Sequence, residues 1–227
     1  MRWIILNSIF SNLANIFYNL IFPHRCALCD NIISKNILIC SSCNKDLKFE
    51  FSKRKICIMN NKEVDCIAPF TYSNKVRESI IRFKFHSKVG NSKFLSFAMT
   101  KALENYKEKF DVLVPVPISL KRKMERKYNQ CEFLAEEISK NVEIPCKNIL
   151  INIVDNPAQH NISSVYKSEN VKNVYKIDSD FEIRDKKILL IDDVCTTGNT
   201  FKECAKTLLD GGAKSVTGLV IAMAKSK

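Results

Sequence analysis

The apolar positions of this chain change their period several times, and each change marks an element. From Val76 through Ile80, Ile81 and Phe83 they recur three or four apart, and they do so again at Phe94, Leu95, Ala98, Met99, Ala102, Leu103 and Tyr106. Two helices are predicted there, each with one face turned to a core. Residues 131–140 repeat the pattern, with Phe133, Leu134 and Ile138 inward. Strands read differently. Residues 111–117 are a short apolar run ending in prolines, 149–154 are a second run and 215–222 a third. Residues 188–191, Ile-Leu-Leu-Ile, are apolar without alternation. That suits a strand buried on both faces, as in a parallel sheet covered by helices. A helix over 200–209 follows, and Gly211-Gly212 stops it. Strands and helices taking turns predict an α/β domain over 66–227, built on a parallel sheet with right-handed crossovers.

Three stretches fall outside this rhythm. Residues 52–64 read as a charged connector. Residues 155–180 are polar and without period, too long for an ordinary connection, and so a functional loop or a disordered one. The first 22 residues are rich in Ile, Leu and Phe, but Asn7, Ser8, Ser11, Asn12, Asn15 and Asn19 recur at helical spacing. An amphipathic helix over 1–22 is predicted rather than a membrane span, docking on the rest of the chain or, with Arg2 as its one charge, on a membrane surface or partner. No small-residue cleavage site precedes Pro23.

Composition adds two constraints. Of 227 residues, 46% are hydrophobic, enough for one domain and a small appendage. Lys and Arg outnumber acidic residues 36 to 24, a net charge of +12 that favours polyanions: phosphates, nucleic acid or an acidic membrane face. Among the 10 cysteines, Cys26-x2-Cys29 and Cys40-x2-Cys43 form two knuckles that can aim four thiolates at one zinc ion. A zinc module over 23–51 is too short for a hydrophobic core and would depend on the metal to fold. Cys57, Cys66, Cys131, Cys146, Cys195 and Cys204 have no such pairing and read as small buried or partly exposed residues.

The candidate chemistry sits after the 188–191 strand, in Asp192-Asp193-Val194-Cys195-Thr196-Thr197-Gly198-Asn199-Thr200. Asp192 and Asp193 can accept sugar hydroxyls directly or through a divalent cation. The hydroxyls and N–H groups that follow, at the start of a helix, can cradle a phosphate. A ribose 5-phosphate satisfies both halves. Nucleotide-triphosphate and dinucleotide readings fall away: no Gly-x4-Gly-Lys-Ser/Thr occurs, and the five glycines are nowhere spaced Gly-x-Gly-x-x-Gly. A second segment follows Val114-Pro115-Val116-Pro117, where Lys121, Arg122, Lys123, Arg126 and Lys127 crowd one expected loop, suited to a pyrophosphate or a nucleic-acid backbone. Tyr128 can stack on a base or pack under that loop. In Ile81-Arg82-Phe83-Lys84-Phe85-His86, Arg82, Lys84 and His86 alternate if the segment is extended, and Lys84 is either a phosphate contact or a solvated charge. His24, beside Cys26, could stand in as a zinc ligand, but four thiolates already complete the shell; His160, in the long polar loop, could meet a ligand when the loop closes and otherwise reads as a surface histidine. No Ser-His-Asp ordering or His-Glu-x-x-His motif occurs.

Residues 188–200 resemble the PRPP-binding motif of type I phosphoribosyltransferases. With Leu20-Ile21-Phe22-Pro23 before the cysteine knuckles, Phe83-Lys84-Phe85, Val114-Pro115-Val116-Pro117, Arg126-Lys127-Tyr128-Asn129-Gln130, Gln159, Ile162-Ser163 and Asn170, nearly the whole chain is similar to the ComF-type competence proteins. The resemblance implies an α/β fold with a parallel sheet of the type I phosphoribosyltransferase kind behind a small N-terminal zinc ribbon. It implies structural Zn2+ on Cys26, Cys29, Cys40 and Cys43, PRPP with Mg2+ over residues 192–200, and Asp192 and Asp193 as the catalytic pair. Lys84, Arg122, Arg126, Lys127 and Tyr128 are then pyrophosphate or nucleic-acid contacts. The expected role is cytoplasmic support of DNA uptake, with single-stranded DNA and a competence helicase as partners, or an active phosphoribosyltransferase of unknown acceptor. Departures from the family pattern are Lys127 for Gly, Asn156 for Thr, Lys167 for Arg, and lone Cys57 and Cys66 in place of a second cysteine pair.

Overall fold

The structure is a computed structural model describing residues 23–59, 62–85, 89–153 and 174–224. The helix expected over 1–22 lies outside these residues, as do His86, Asn156, Gln159, His160, Ile162, Ser163, Lys167 and Asn170. The chain divides into two compact units, 1–47 and 48–227.

In the first unit the buried side chains among the described residues are Cys26, Ala27, Leu28 and Cys43. Arg25 and Ile32 make one antiparallel bridge. Cys40 caps the six-residue helix α1 (Ser41–Asp46), its sulfur accepting the Cys43 N–H. So little apolar burial among residues 23–47 cannot offset the entropy of ordering them, which leaves the sulfur cluster to hold this stretch.

The second unit opens with a hairpin, β1 (Ser52–Met59) and β2 (Lys62–Ala68). This corrects the charged connector expected over 52–64. Lys53, Lys55 and Cys57 are the exposed half of a strand alternation whose inward half is Arg54, Ile56 and Ile58. Lys53–Asp65 and Lys55–Glu63 pair across the strands at 2.7 and 3.1 Å. Next come β3 (Phe70–Thr71), α2 (Asn74–Phe85), a 3-10 turn at Val89–Asn91, α3 (Ser92–Tyr106) and β4 (Val112–Pro115). Then follow α4 (Leu120–Arg126), α5 (Gln130–Val142), β5 (Leu150–Asn152), β6 (Tyr175–Ile177), β7 (Lys187–Cys195), α6 (Asn199–Asp210) and β8 (Ser215–Met223).

One sheet runs in the order β1-β2-β8-β7-β4, with β3 also paired to β8, and every pairing except β1–β2 is parallel. Ile188 to Ile191 are each 0% exposed. Ile188 and Leu190 share a cluster with Phe201 and Leu208 of α6, while α3 and α5 pack together and onto β8, β4 and β7. The unbroken apolar run therefore reflects burial on both faces.

Three expectations change. The 149–154 strand does not join the main sheet: β5 pairs with β6 as a separate antiparallel ribbon. The basic run 121–127 is not a loop, because Ser119 accepts the Arg122 N–H and caps α4. Arg82 and Lys84 lie on a helix, α2, and so do not alternate as they would in an extended segment.

Gly218 on β8 leaves room for the Phe201 ring of α6 against the sheet. A Cβ there would lie 2.4 Å from the Phe201 ring, which is itself buried. Gly218→Ala is expected to lower stability by ~1–3 kcal/mol through overpacking, read as a lower urea midpoint at unchanged slope. An unshifted midpoint would mean that the ring has room to move.

Candidate functional site

β7 carries Asp192 and Asp193 out of the buried sheet at its carboxyl end, and successive side chains of a strand point to opposite faces. Asp192 is met by neutral donors: the Asp193 N–H reaches its Oδ1 at 2.8 Å, and the buried Cys131 thiol reaches the same oxygen at 3.5 Å. Asp193 meets a cation, with Lys84 Nζ 2.8 Å from its Oδ2 and both side chains largely enclosed at 21% and 13% exposure. Burial first, and the charge of Asp193 second, push the Asp192 carboxyl up to about 7, against the Asp193 N–H, Lys84 and the Cys131 thiol, which favour its ionised form.

The turn that follows is the anion cradle. Thr196 and Thr197 are exposed, Val194 lines the cavity below, Cys195 is buried, and Asn199 and Thr200 begin α6 on the surface. Gly198 sits at φ 80° before α6 and offers no side-chain cap; the Asn199 N–H reaches Thr197 Oγ1 at 3.4 Å, and the rest of the first turn presents the N–H end of a helix, which suits an anion. Arg54 of β1 fastens this turn. Its Nη1 donates to the Thr196 carbonyl at 3.0 Å and its other terminal nitrogen donates to the Ala224 carbonyl. A hydrogen bond from Cys66 brings the Cys195 thiol down to about 7, with burial opposing and the Arg54 charge assisting. Sequence reasoning missed Arg54, and the one signal for it was its place on the inward half of the β1 alternation.

A cavity of about 260 Å3 opens here. Asp192, Asp193, Thr196 and Thr200 line it together with Lys84, Arg122 and Arg126. Val116, Pro117 and Ile118 with Tyr72 and Tyr175 give it apolar walls. Lys127 and Tyr128 are not among its lining residues. Lys127 ends α4 in the left-handed region at φ 66°. Tyr128 is half-buried, its hydroxyl donating to the Phe83 carbonyl and its ring edge-on to Phe133 at 5.3 Å.

The Tyr128-Asn129-Gln130 segment acts as a brace. Asn129 Nδ2 donates to the Val116 carbonyl at 3.0 Å, and its Oδ1 caps α5 through the Cys131 N–H. Gln130 Nε2 donates to the Lys84 carbonyl at 3.3 Å, and its Oε1 accepts from Arg126 at 3.1 Å. The ends of α2, β4 and α4 are thereby held around one opening.

In the first unit the sulfurs of Cys26, Cys29, Cys40 and Cys43 all lie within 4.8 Å of one another. The Cys40 N–H points to Cys26 Sγ at 3.3 Å and the Cys43 N–H to Cys40 Sγ at 3.4 Å. Burial pushes the Cys26 thiol up, but N–H donors from Cys40, Cys29 and Leu28 outweigh it and leave it at about 7. Burial also raises Cys29 and Cys43. Four sulfurs this close, with backbone donors already supporting thiolate, fit a tetrahedral zinc ion.

Residues 17–66 match the double zinc ribbon domain and 95–227 the phosphoribosyl transferase domain. The chain is 26% identical to Competence protein F of Haemophilus influenzae, over 84% of this chain and 86% of that one. It is 30% identical to Competence protein ComFC of Bacillus subtilis, over 87% of this chain and 77% of that one. The chain belongs to the ComF family. It is also 29% identical to the DNA utilization protein YhgH of Escherichia coli over 47% of this chain and 46% of that one. As in that family's organisation, a ribbon with a structural zinc site precedes a type I phosphoribosyltransferase fold with a largely parallel sheet. Of the two lone cysteines, Cys57 is exposed on β1 and Cys66 is buried on β2. No helix among the described residues is long and apolar enough to cross a membrane.

Two outcomes follow from this geometry. A left-handed backbone costs a residue with a Cβ roughly 1–2 kcal/mol, so Lys127→Gly is expected to stabilise the protein by ~1 kcal/mol in urea denaturation; no gain would mean that α4 ends differently in solution. For Asp192, a folded pKa of about 7 lies well above the ordinary carboxylate range of the unfolded chain. The folded protein therefore holds a proton that the unfolded chain has lost across that window, and the group's contribution to stability falls as pH rises through it. Without added divalent ion, Asp192→Asn is expected to gain stability relative to wild type between pH 5 and 7.5, followed by urea midpoints. A constant difference would contradict the raised carboxyl.

Proposed function

We propose that this protein binds PRPP with a divalent cation, holds single-stranded DNA beside it, and supports DNA uptake in natural transformation from the cytoplasm. One observation carries the reading: a carboxylate pair and a threonine-rich helix start line the same cavity as Arg122 and Arg126. Ribose hydroxyls are suited to Asp192 and Asp193, the 5-phosphate to the turn at 196–200, and the pyrophosphate to the two guanidinium groups, whose planar forks match phosphate oxygens. Oxygens of Asp192 and Asp193 lie within 4.8 Å of each other and of Cys131 Sγ, and paired carboxylate oxygens suit Mg2+ arriving with substrate phosphates. Magnesium so bound would offset the pyrophosphate charge.

The DNA half of the reading rests on the outer face of the same opening. Lys121, Arg122, Lys123 and Lys127 are exposed on or just after α4. Phe85 is 60% exposed, with the Arg126 guanidinium 4.8 Å from its ring centroid. Cations that track phosphates, next to an exposed ring on which a base can stack, are the ingredients of single-strand binding. Relatives named as competence and DNA utilization proteins support the same direction, and a competence helicase is the partner such a role calls for.

A second reading, phosphoribosyl transfer, is favoured by the apolar walls at Val116, Pro117 and Ile118, which leave room for an acceptor. As the C1–O bond breaks, positive charge grows near Asp192 and Asp193, and negative charge grows on the leaving pyrophosphate near Arg122 and Arg126. Both changes are stabilised more in the transition state than before it.

Calorimetry with Mg2+ and PRPP is expected to give saturable binding that Asp193→Asn weakens at least about tenfold, the loss of ~1.4 kcal/mol; absence of wild-type binding would sink the PRPP reading. Pyrophosphate release with a panel of bases separates transfer from binding alone. Anisotropy of a labelled oligo-dT is expected to fall steeply with salt, and Phe85→Ala to weaken oligo-dT more than an abasic oligomer. No binding at low salt would remove DNA from the account.

A further inference from the structure

The Lys84–Asp193 contact has a meaning beyond a phosphate contact for Lys84. Its 2.8 Å separation and partial enclosure set it apart from exposed surface pairs, whose worth is screened away. The stem of the lysine is fixed as well. The carbonyls of Phe83 and Lys84 are held by the Tyr128 hydroxyl and by Gln130 Nε2, so the end of α2 is fastened to the start of α5. The ammonium is left to move between Asp193 and the cavity that both residues line. Asp192 is contacted by a thiol and an N–H, neither of which carries a charge. Among the described residues, the ammonium on Asp193 is thus the positive charge in direct contact with the acidic pair.

The oxygens that would hold a divalent ion are these same carboxylate oxygens. We infer that Lys84 is the resident counter-cation of the acidic pair, and that it lowers the affinity of the unliganded protein for a divalent ion by competing for Asp193. The inference rests on the PRPP reading for its purpose, though not for its test. A phosphate ligand entering the cavity offers the ammonium oxygens of its own. As Lys84 turns to them, Asp193 is released to the metal. Metal and phosphate ligand then favour each other's binding, and by linkage they do so equally. A Cβ-to-ammonium stem of four methylenes provides the reach and the rotational freedom for such a swing.

The experiment titrates zinc-loaded, full-length protein with Mn2+ alone and counts free Mn2+ by electron paramagnetic resonance. Lys84→Met is expected to bind one Mn2+ about tenfold more tightly than wild type, a gain of ~1.4 kcal/mol. Lys84→Arg, which keeps the charge, should stay at the wild-type affinity, and adding Asp193→Asn to Lys84→Met should erase the gain. Affinity in Lys84→Met that is unchanged, weaker or unmeasurable overturns the inference. So does an equal gain in Lys84→Arg, or a gain that survives Asp193→Asn. Calorimetry of wild type with PRPP and Mg2+ keeps the two ideas apart. PRPP binding without the Mn2+ gain defeats the counter-cation alone, and the gain without PRPP binding defeats the PRPP reading alone.

Discussion

Two carboxylates on consecutive residues, at the end of a strand buried on both faces, repel each other and lose their water together. Most of the site answers that constraint. At the end of β7 the two carboxylates stay within 4.8 Å of each other, and each finds its own donors. Asp192 takes the Asp193 N–H and the Cys131 thiol, and Asp193 takes the Lys84 ammonium. The thiol comes from α5 and the ammonium from α2, so both helices must be held in place. The Tyr128-Asn129-Gln130 brace does this, tying α2, β4 and α4 to the start of α5. Tyr128, a candidate for stacking on a ligand, spends its hydroxyl and ring on that task.

How much of this could be read from the chain depended on whether burial left a periodic trace. β7 was legible because Ile188 to Ile191 have no polar member, and α6 because its apolar positions recur at helical spacing up to Gly211-Gly212. The hairpin was hidden: within β1 only Ile56 and Ile58 are buried hydrophobics, and Lys53, Arg54 and Lys55 before them read as a solvated run. α4 left no trace at all, since none of its residues is buried and its start depends on a cap from Ser119. The partner of β5 lies more than 20 residues on, and no local pattern chooses between joining a sheet and forming a ribbon. Of the candidate site, the 192–200 segment was visible as a unit. Cys131 was not, because a lone cysteine in a helix looks like any small buried residue until Asp192 is placed beside it.

The two units answer the same physical problem by different means. The ribbon has almost no apolar burial and gathers four sulfurs that need a cation. The larger unit has a two-faced core and gathers two carboxylates that need one as well. In the first, the metal is the fold. In the second, the fold is complete without it, and a lysine stands among the acids. Eight of the ten cysteines divide along that contrast: Cys26, Cys29, Cys40 and Cys43 sit together, whereas Cys66, Cys131, Cys195 and Cys204 are buried singly or in pairs within packed apolar surroundings.

Arg54 joins the Thr196 carbonyl, 142 positions away, to the Ala224 carbonyl, 170 positions away. Contacts of such sequence separation close the largest loops in the chain, and they form late because so much chain entropy is lost before they return anything. A ribosome releasing this protein exposes the hairpin first and the last strand of the sheet much later. The anion cradle therefore takes its final shape only once the segment through residue 224 has emerged. Until then the nascent chain carries its acidic and hydroxyl-rich motif in a turn that nothing yet holds.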